Sequence, residues 1–255
     1  MRLVLVMVLS LFAFTVLPNV YAATVTAVQD GNWNDAATWD LGVPDISDDK
    51  IISDVITVTI TGDVTNDGII ILNGTMIIES LVELTNNNII DIDVDAEAEI
   101  SNSGTIINNA AGSIGDTTSS LHILNNGGTI TNFGTISSNI FQSGNALLNN
   151  TNDAFLVDSQ EQETELSIED TSQLINDGTI DVASLNIQDA IIDNKNIITA
   201  IDSSLSGSTA EFYNSNAGVV TVDSLDTSGN IFENEIINNG KRLFEKLSQD
   251  ADDGP

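Results

Sequence analysis

The sequence predicts an all-β fold, a right-handed parallel β-helix (β-solenoid) of about eight coils. The tripeptide Gly-Thr-Ile recurs among asparagines, and looser copies of a turn residue followed by β-branched residues fill the intervals. Such recurrence along most of a chain is typical of a solenoid, and the general crossover rule favours the right hand. One marker per unit from Gly68 to Ile236 divides the chain into eight steps that average 21 residues. The clearest copies of the tripeptide are Gly104–Ile106, Gly128–Ile130, Gly134–Ile136 and Gly178–Ile180.

Residues 1–22 have the pattern of a secretory signal peptide. Arg2 supplies the positive start, an apolar run of 15 residues extends from Leu3 to Leu17, and small residues precede Ala23. The run is shorter than the roughly 20 apolar residues that a membrane-spanning helix needs. We therefore expect cleavage after Ala22, a secreted or cell-surface location, and a mature chain that does not insert into a membrane.

Residues 23–65 are predicted to form an N-terminal cap and the first strands. They contain both tryptophans, Trp33 and Trp39, which precede the first regular repeat. The first coil of a solenoid has an open apolar end and unpaired strand edges, and natural repeat proteins cover that end with an atypical unit. We expect the two indoles to cover it. The alternative is an exposed platform on which sugars stack.

The order of motifs in this segment resembles the opening of G8-like and related surface proteins of bacteria and archaea. The motifs are Gly-Asn-Trp-Asn-Asp-Ala-Ala-Thr-Trp at 31–39, Gly-Val-Pro at 42–44, Asp-Asp at 48–49 and the alternating strand Val55–Ile60. The resemblance covers the opening of the mature chain, and it implies that the first coil of a parallel β-helix begins directly after these motifs.

Residues 66–240 are predicted to form the solenoid coils, in which asparagines flank short runs of Ile, Val and Leu. Asn tolerates the left-handed backbone conformation and bonds its own backbone, so it suits the corners of a coil. Equivalent asparagines in stacked coils can also bond one another as a ladder. The isoleucines expected to face inward are Ile69, Ile89, Ile106, Ile130, Ile180 and Ile197.

Residues 241–255 are predicted to form a short capping helix followed by a disordered tail. Leu243 and Leu247 lie four residues apart with Phe244 beside the first of them, which is the spacing of one apolar helix stripe. The tail is expected to begin near Asp250.

The net charge excludes several classes of partner. The chain has 38 acidic and 6 basic residues, a formal charge of −32, and loss of Arg2 with the signal peptide gives −33. Nucleic-acid binding requires a basic surface, and an anionic membrane would repel this chain. The predicted partners are extracellular glycans or components of a surface layer or envelope, and self-association is a further alternative.

The densest acidic run, Asp91–Glu99, is a candidate calcium site. Calcium takes several carboxylate oxygens, which makes Asp91, Asp93 and Asp95 the candidate ligands. Alternation on one strand would turn the intervening residues toward the core: Ile92, Val94, Ala96 and Ala98. Carboxylates two residues apart on a strand diverge, so the other interpretation is a solvated face that binds no metal and no cofactor.

Catalytic residues are scarce in this sequence. His122 is the only histidine, there is no cysteine, and we expect His122 on the outward side of a strand. One histidine and no cysteine are too few for a zinc cluster, or for a conventional catalytic triad with further ligands to spare. Lys50 and Lys195 are the only basic residues of the coils, too few for a lyase that acts on acidic sugars.

We therefore predict a non-enzymatic structural or adhesive module of the cell surface or the extracellular space. The alternative is a carbohydrate-binding or carbohydrate-cleaving β-helix, which should show a lateral cleft with convergent carboxylates and exposed aromatic residues. A third alternative is ice binding by outward Thr-x-Thr pairs such as Thr57–Thr59 and Thr129–Thr131, which requires those pairs to be in register.

Overall fold

The chain forms a three-sided β-solenoid of about eight coils, as the sequence predicts. The structure is a computed structural model, and it describes residues 22–94, 96–115, 120–157, 164–206, 210–215, 217–226, 235–238 and 241–244. Within these ranges every strand pair is parallel, and an isolated bridge between Ala27 and Trp39 is antiparallel. The chain therefore stacks each coil directly on the one before it.

The strands fall into three columns, which we call the first, second and third faces. The first face contains β1 Thr24–Thr26, β3 Asp49–Ile52, β6 Ile69–Leu72, β9 Ile89–Asp91, β12 Ser113–Ile114, β15 Thr135–Ile136, β18 Phe155–Val157 and β27 Lys241–Phe244. The second face contains β2 Gly31–Asn32, β4 Thr57–Ile60, β7 Thr75–Ile78, β10 Glu97–Asn102, β13 Ser120–Asn126, β16 Asn139–Ser143 and β19 Glu165–Glu169.

Three long strands span both of these faces and join them into one 18-stranded sheet: β21 Thr179–Gln188, β23 Ile197–Ser206 and β25 Val219–Asp226. The third face is a separate nine-stranded sheet. It contains β5 Val64–Asn66, β8 Glu83–Asn86, β11 Thr105–Asn108, β14 Thr129–Asn132, β17 Leu147–Asn150, β20 Gln173–Asn176, β22 Ile191–Asn194, β24 Glu211–Asn214 and β26 Glu235–Asn238.

The core is a set of apolar columns that alternation along each strand turns inward. Ile106, Ile130 and Ile180 are fully buried, as predicted. Ile69 and Ile89 are only half-buried, and Ile197 is 39% exposed, so these three face outward, contrary to the prediction. Each precedes a second isoleucine, and that second residue is the buried one: Ile70, Ile90 and Ile198. An Ile-Ile pair always has one member on each side of a strand, and the pair alone does not identify the inward one.

The Gly-Thr-Ile copies occupy two different corners of the coil. Gly104 and Gly128 precede strands of the third face, whereas Gly134 and Gly178 precede strands of the first face. A Cβ on Gly104 would lie 2.3 Å from the Glu79 carbonyl oxygen, and one on Gly178 would lie 2.4 Å from that of Ala154. The backbone of the preceding coil passes close to both corners, so both require glycine. The four copies are therefore not spaced by whole coils, although the average repeat is close to the predicted one.

The tryptophan segment lies near the N-terminal end of the solenoid, directly after β2, which pairs with β4 of the next coil. Trp33 and Trp39 are each 3% exposed, with their rings edge-to-face at 5.1 Å between centroids. The Trp39 Nε1–H donates to the Trp33 carbonyl at 2.8 Å. Such burial leaves neither indole exposed as a sugar-stacking platform.

Residues 38–40 pair with the free edge of β1. The Asp40 N–H donates to the Thr26 carbonyl at 3.0 Å, the Asp40 carboxylate accepts from the Thr26 N–H at 2.8 Å, and the Val28 N–H donates to the Thr38 carbonyl at 2.8 Å. These contacts occupy backbone groups with which another strand could pair. The capping role of this segment stays a prediction.

We expect Trp39→Ala to lower the free energy of unfolding by about 3–5 kcal/mol, because it removes a buried indole and its hydrogen bond. The exposed first coil should then associate end to end, which urea unfolding and light scattering would measure. Phe155→Ala is the control, since Phe155 is 45% exposed on the first face. If the Trp39→Ala variant stays monomeric and has the same free energy of unfolding as Phe155→Ala, the capping role is contradicted.

The C-terminal helix prediction is wrong over its first turn. Residues Lys241–Phe244 form β27, which pairs in parallel with β25. The preceding coil presents a free strand edge, and pairing with that edge satisfies more backbone groups than one isolated helical turn. Residues 245–255, including the predicted tail, lie outside the described residues.

The predicted signal peptide also lies outside the described residues, apart from Ala22. In the part of the chain that the structure describes, no helix is long and apolar enough to cross a membrane.

Candidate functional site

The acidic run Asp91–Glu99 does not form one continuous strand. β9 ends at Asp91 and β10 begins at Glu97, because the coil turns here from the first face to the second. Val94, predicted to face the core, is 70% exposed, whereas Ile92 and Ala98 are buried and Ala96 packs partly against the core. The corner interrupts the two-residue alternation on which that prediction depends.

Two of the three candidate calcium ligands, Asp91 and Asp93, accept hydrogen bonds from protein donors. The Asp93 carboxylate accepts from Asn73 Nδ2 at 2.6 Å, and the Asp93 N–H donates back to Asn73 Oδ1 at 2.9 Å. Asp91 Oδ1 accepts from the Ile92 N–H at 3.0 Å, and Asp95 lies outside the described residues. Among the described side chains, no group of three or more Asp, Glu, His or Cys residues is placed to hold a metal ion.

We predict that calcium stabilises the chain only as generic ionic strength. At −32 the chain repels itself, and salt shortens the Debye length from about 30 Å at 0.01 M to about 10 Å at 0.1 M. Melting temperatures in calcium, magnesium and sodium chloride at matched ionic strength should therefore agree. A rise specific to calcium, and lost in Asp93→Asn, would instead establish a calcium site in this run.

A shallow groove of about 390 Å³ lies on the second face around His122. His122 occupies an outward position on β13, as predicted, and it lies in register with Glu99 of the coil below. Its ring is 5.8 Å from that of Phe141, measured between centroids. The groove brings together carboxylates, an imidazole and hydroxyls from four successive coils: Asp54, Thr75, Glu97, Glu99, Ser120 and His122. Such groups can bind the hydroxyls of a sugar.

The Thr-x-Thr pairs do not build one array. Thr57–Thr59 lies on the second face, in β4, and Thr129–Thr131 lies on the third face, in β14. Ice binding through these pairs in one plane therefore has no support from their positions.

Among the side chains that the structure describes, eight buried asparagines form a continuous ladder in the interior of the third face, which we call the Asn ladder. In each pair of neighbouring coils the lower Nδ2 donates to the upper Oδ1, at distances of 2.8–3.0 Å. The other N–H of each amide donates to a backbone carbonyl near the corner that follows, in the same coil or in the next one. The members are Asn66, Asn86, Asn108, Asn132, Asn150, Asn176, Asn194 and Asn214. They confirm the predicted ladder, with steps of 18 to 26 residues.

A shorter ladder lies at the inward end of the second face. Asn102 donates to Asn125 at 2.8 Å, and Asn125 donates to Gln142 Oε1 at 3.2 Å. Ile168 takes the equivalent position in the next coil, and the buried Gln142 Nε2 has no hydrogen-bond partner among the described residues. The second ladder therefore ends after three coils, whereas the first continues.

Lys50 ends the Asn ladder at its lower side. The side chain is only 1% exposed, and Nζ donates to Asn66 Oδ1 and to the Ile46 carbonyl, both at 2.9 Å. All amides of the ladder have the same orientation, so their dipoles add and the oxygen end points at Lys50. A cation at that end is favourable, as it is at the carbonyl end of a helix.

This role of Lys50 was not predicted from the sequence, although the sequence contains a signal for it. Lys50 lies two residues before the buried Ile52 in β3, so alternation places it inward. Burial lowers the pKa of Lys50 to about 8, against the opposing charges of Asp48, Asp49, Asp67 and Asp45, which raise it.

This shift predicts that the free energy of unfolding rises with pH between about 8 and 10.5. The folded pKa is below the unfolded value, so in this window the unfolded chain binds more protons at Lys50 than the folded chain does. The rise is at most about 3 kcal/mol, and urea unfolding at pH 7.5 and 10 would measure it. Lys50→Met should flatten the profile.

Lys195→Met is the control for this experiment. Lys195 lies 3.4 Å from both Asp177 and Asp193 at the surface. A little desolvation lowers its pKa, but the charges of these two partners outweigh that effect and raise it. The ion pairs of Lys195 therefore contribute stability that is present below its unfolded pKa and is lost as pH rises through its folded pKa. The variant Lys195→Met should still show the rise in the free energy of unfolding that is assigned to Lys50. A rise that survives in Lys50→Met would contradict the assignment.

Comparison of the chain with protein-family models, with curated proteins and with solved structures finds no match. The resemblance of the opening segment to G8-like surface proteins therefore stays a prediction.

Proposed function

We propose that the chain is an exported, non-enzymatic structural and adhesive module of the cell surface or the extracellular space. The observation that carries this proposal is the Asn ladder, in which the buried polar side chains of eight successive coils bond one another. Fully satisfied polar networks in a low-dielectric interior rigidify a fold. The buried polar side chains of the third face thus hold the coils together instead of converging on a reacting group.

Export is supported by the N-terminal pattern, and an extracellular setting suits the charge of the mature chain. A charge of −33 keeps the chain soluble, but the like charges repel one another and destabilise the fold. The salt or divalent cations of an extracellular medium would screen this repulsion.

Expression of the full chain with a C-terminal epitope tag in a bacterial host tests export. The tagged protein should leave the cytoplasm, and N-terminal sequencing should begin at Ala23. In the control, Leu9→Arg and Leu11→Arg interrupt the apolar run and should keep an uncleaved chain inside the cell. A wild-type chain that stays cytoplasmic and uncleaved would contradict export.

The second candidate function, carbohydrate binding or cleavage, is favoured by the groove around His122. Glycoside hydrolysis needs two carboxylates that flank the scissile bond, and Asp54, Glu97 and Glu99 all line this groove. The exported chain should release no new reducing ends from neutral polysaccharides beyond the level of a variant with Asp54→Asn, Glu97→Gln and Glu99→Gln. Release by the wild type that this variant lacks would make the enzyme the better proposal.

A further inference from the structure

The outward side of the third face is a straight column of residues, one from each of eight successive coils. Strand register places them directly above one another, and parallel strands lie about 4.8 Å apart. Six of the eight side chains can form hydrogen bonds and all eight are half-buried. In chain order they are Thr65, Thr85, Ile107, Thr131, Asn149, Ile175, Asp193 and Tyr213.

A hollow of about 470 Å³ lies at the C-terminal part of this column, around Tyr213. Ile175 and Ile191 contribute apolar surface to its lining, and Gln173 and Asp193 contribute polar groups. The polar groups are held in place: the Tyr213 hydroxyl donates to Glu211 Oε2 at 2.5 Å, and Asp193 pairs with Lys195 at 3.4 Å. An apolar surface with a few oriented polar groups is typical of a ligand site.

We propose that this column binds a neutral polysaccharide chain that lies along the solenoid axis, with Tyr213 as the aromatic contact. The proposal rests on the adhesive function proposed above and names the class of its partner. A tyrosine ring offers an apolar surface to the C–H groups of a sugar ring, and the neighbouring amide and carboxylate accept hydrogen bonds from sugar hydroxyls.

The chemistry of the face selects a neutral and extended ligand. The mature charge of −33 repels polyuronates and sulfated glycans. Beyond the hollow, strand register continues the column with the hydroxyl of Thr131 and the amide of Asn149. A polymer therefore gains contacts from several coils, whereas a monosaccharide gains them from one or two. Many weak contacts along one chain give avidity without a deep pocket.

Affinity electrophoresis of the exported chain tests the proposal. The gels contain hydroxyethylcellulose, laminarin or dextran as neutral polymers, polygalacturonate as the anionic polymer, and chitosan as the cationic one. We expect retardation by at least one neutral polymer and none by polygalacturonate. Tyr213→Ala should weaken that binding about tenfold, and Tyr213→Phe, which keeps the ring, should change it less than threefold.

Phe155→Ala is the matched control, because it removes an aromatic ring from the first face and should leave retardation unchanged. Circular dichroism establishes that each variant is folded. The proposal is overturned if no neutral polymer retards the wild type, if only chitosan does, or if Tyr213→Ala binds like the wild type. Export and the release of reducing ends are measured in separate experiments. A failure of polysaccharide binding would therefore leave the proposed structural role of the exported chain intact.

Discussion

Ile130→Asp is expected to abolish the folded state at neutral pH. Ile130 is fully buried in β14, and strand register places it between Ile106 and Leu148 of the neighbouring coils. The substitution removes a packed aliphatic side chain and buries a carboxylate that has no charged partner, at a combined cost of at least about 5 kcal/mol. The whole free energy of unfolding of a domain is typically about 5–15 kcal/mol. Circular dichroism and urea unfolding would measure the loss.

Thr131→Asp is the control for this prediction, since it adds the same charge to the next residue of the same strand. Thr131 faces outward, so the free energy of unfolding should change by no more than about 1 kcal/mol. If the Ile130→Asp variant is soluble and melts like Thr131→Asp, the inward column is assigned to the wrong residues.

Asn132→Asp is expected to destabilise the chain by about 3–5 kcal/mol at pH 7, although it changes a single atom. Asn132 accepts from Asn108 Nδ2 at 2.9 Å and donates to Asn150 Oδ1 at 3.0 Å. An ionised aspartate keeps the first bond, but it places a negative oxygen against the Asn150 oxygen. A protonated aspartate can still donate to Asn150, so the lost stability should return in acid.

The sign of this pH dependence follows from linkage. Burial and the lost donor raise the folded pKa of residue 132 in the variant above the unfolded value of about 3.9. The folded state then binds more protons, so stability relative to the wild type falls as pH rises from about 4 through the folded pKa. Asn152→Asp adds the same charge at an exposed turn of the next coil and should show no such fall. Parallel profiles for the two variants would mean that the ladder bond at Asn132 contributes little.

The solenoid and its ladder were predictable because both depend on local chemistry that repeats. Gly and Asn mark corners wherever the backbone of the previous coil passes close, and β-branched residues follow them. Which member of an Ile-Ile pair faces inward was not predictable, because it depends on where the corner falls. Ile69 was misplaced by one residue of alternation for that reason, and Val94 was misplaced because a corner interrupts the alternation after Ile92.

The candidate site was less predictable than the fold. The groove at His122 and the column that ends at Tyr213 join residues from several coils, and coil lengths vary from 18 to 26 residues. A single average period cannot place such residues in register. The inward position of Lys50 was predictable, because alternation from Ile52 turns it inward. Its hydrogen bond to Asn66 was not, because Asn66 lies 16 residues later in the chain.

The two ladders explain why polar residues can occupy the interior of this fold. Each amide inside a ladder bonds to the coil above and to the coil below, so the cost of desolvating one asparagine depends on its neighbours. Lys50 satisfies the lower end of the long ladder. Gln142 closes the short ladder with a side-chain nitrogen that has no partner among the described residues.

Hydrogen exchange of the asparagine side-chain amides, followed by NMR, tests the central claim that the ladder joins the coils into one cooperative unit. We predict that the Nδ2 protons of Asn108, Asn132 and Asn176 exchange only when the whole chain unfolds, with free energies that agree within about 1 kcal/mol. The amide of exposed Asn152 should exchange at once. Ladder amides that exchange as fast as Asn152, or coil by coil with steadily falling free energies, would contradict the claim and indicate coils that open independently.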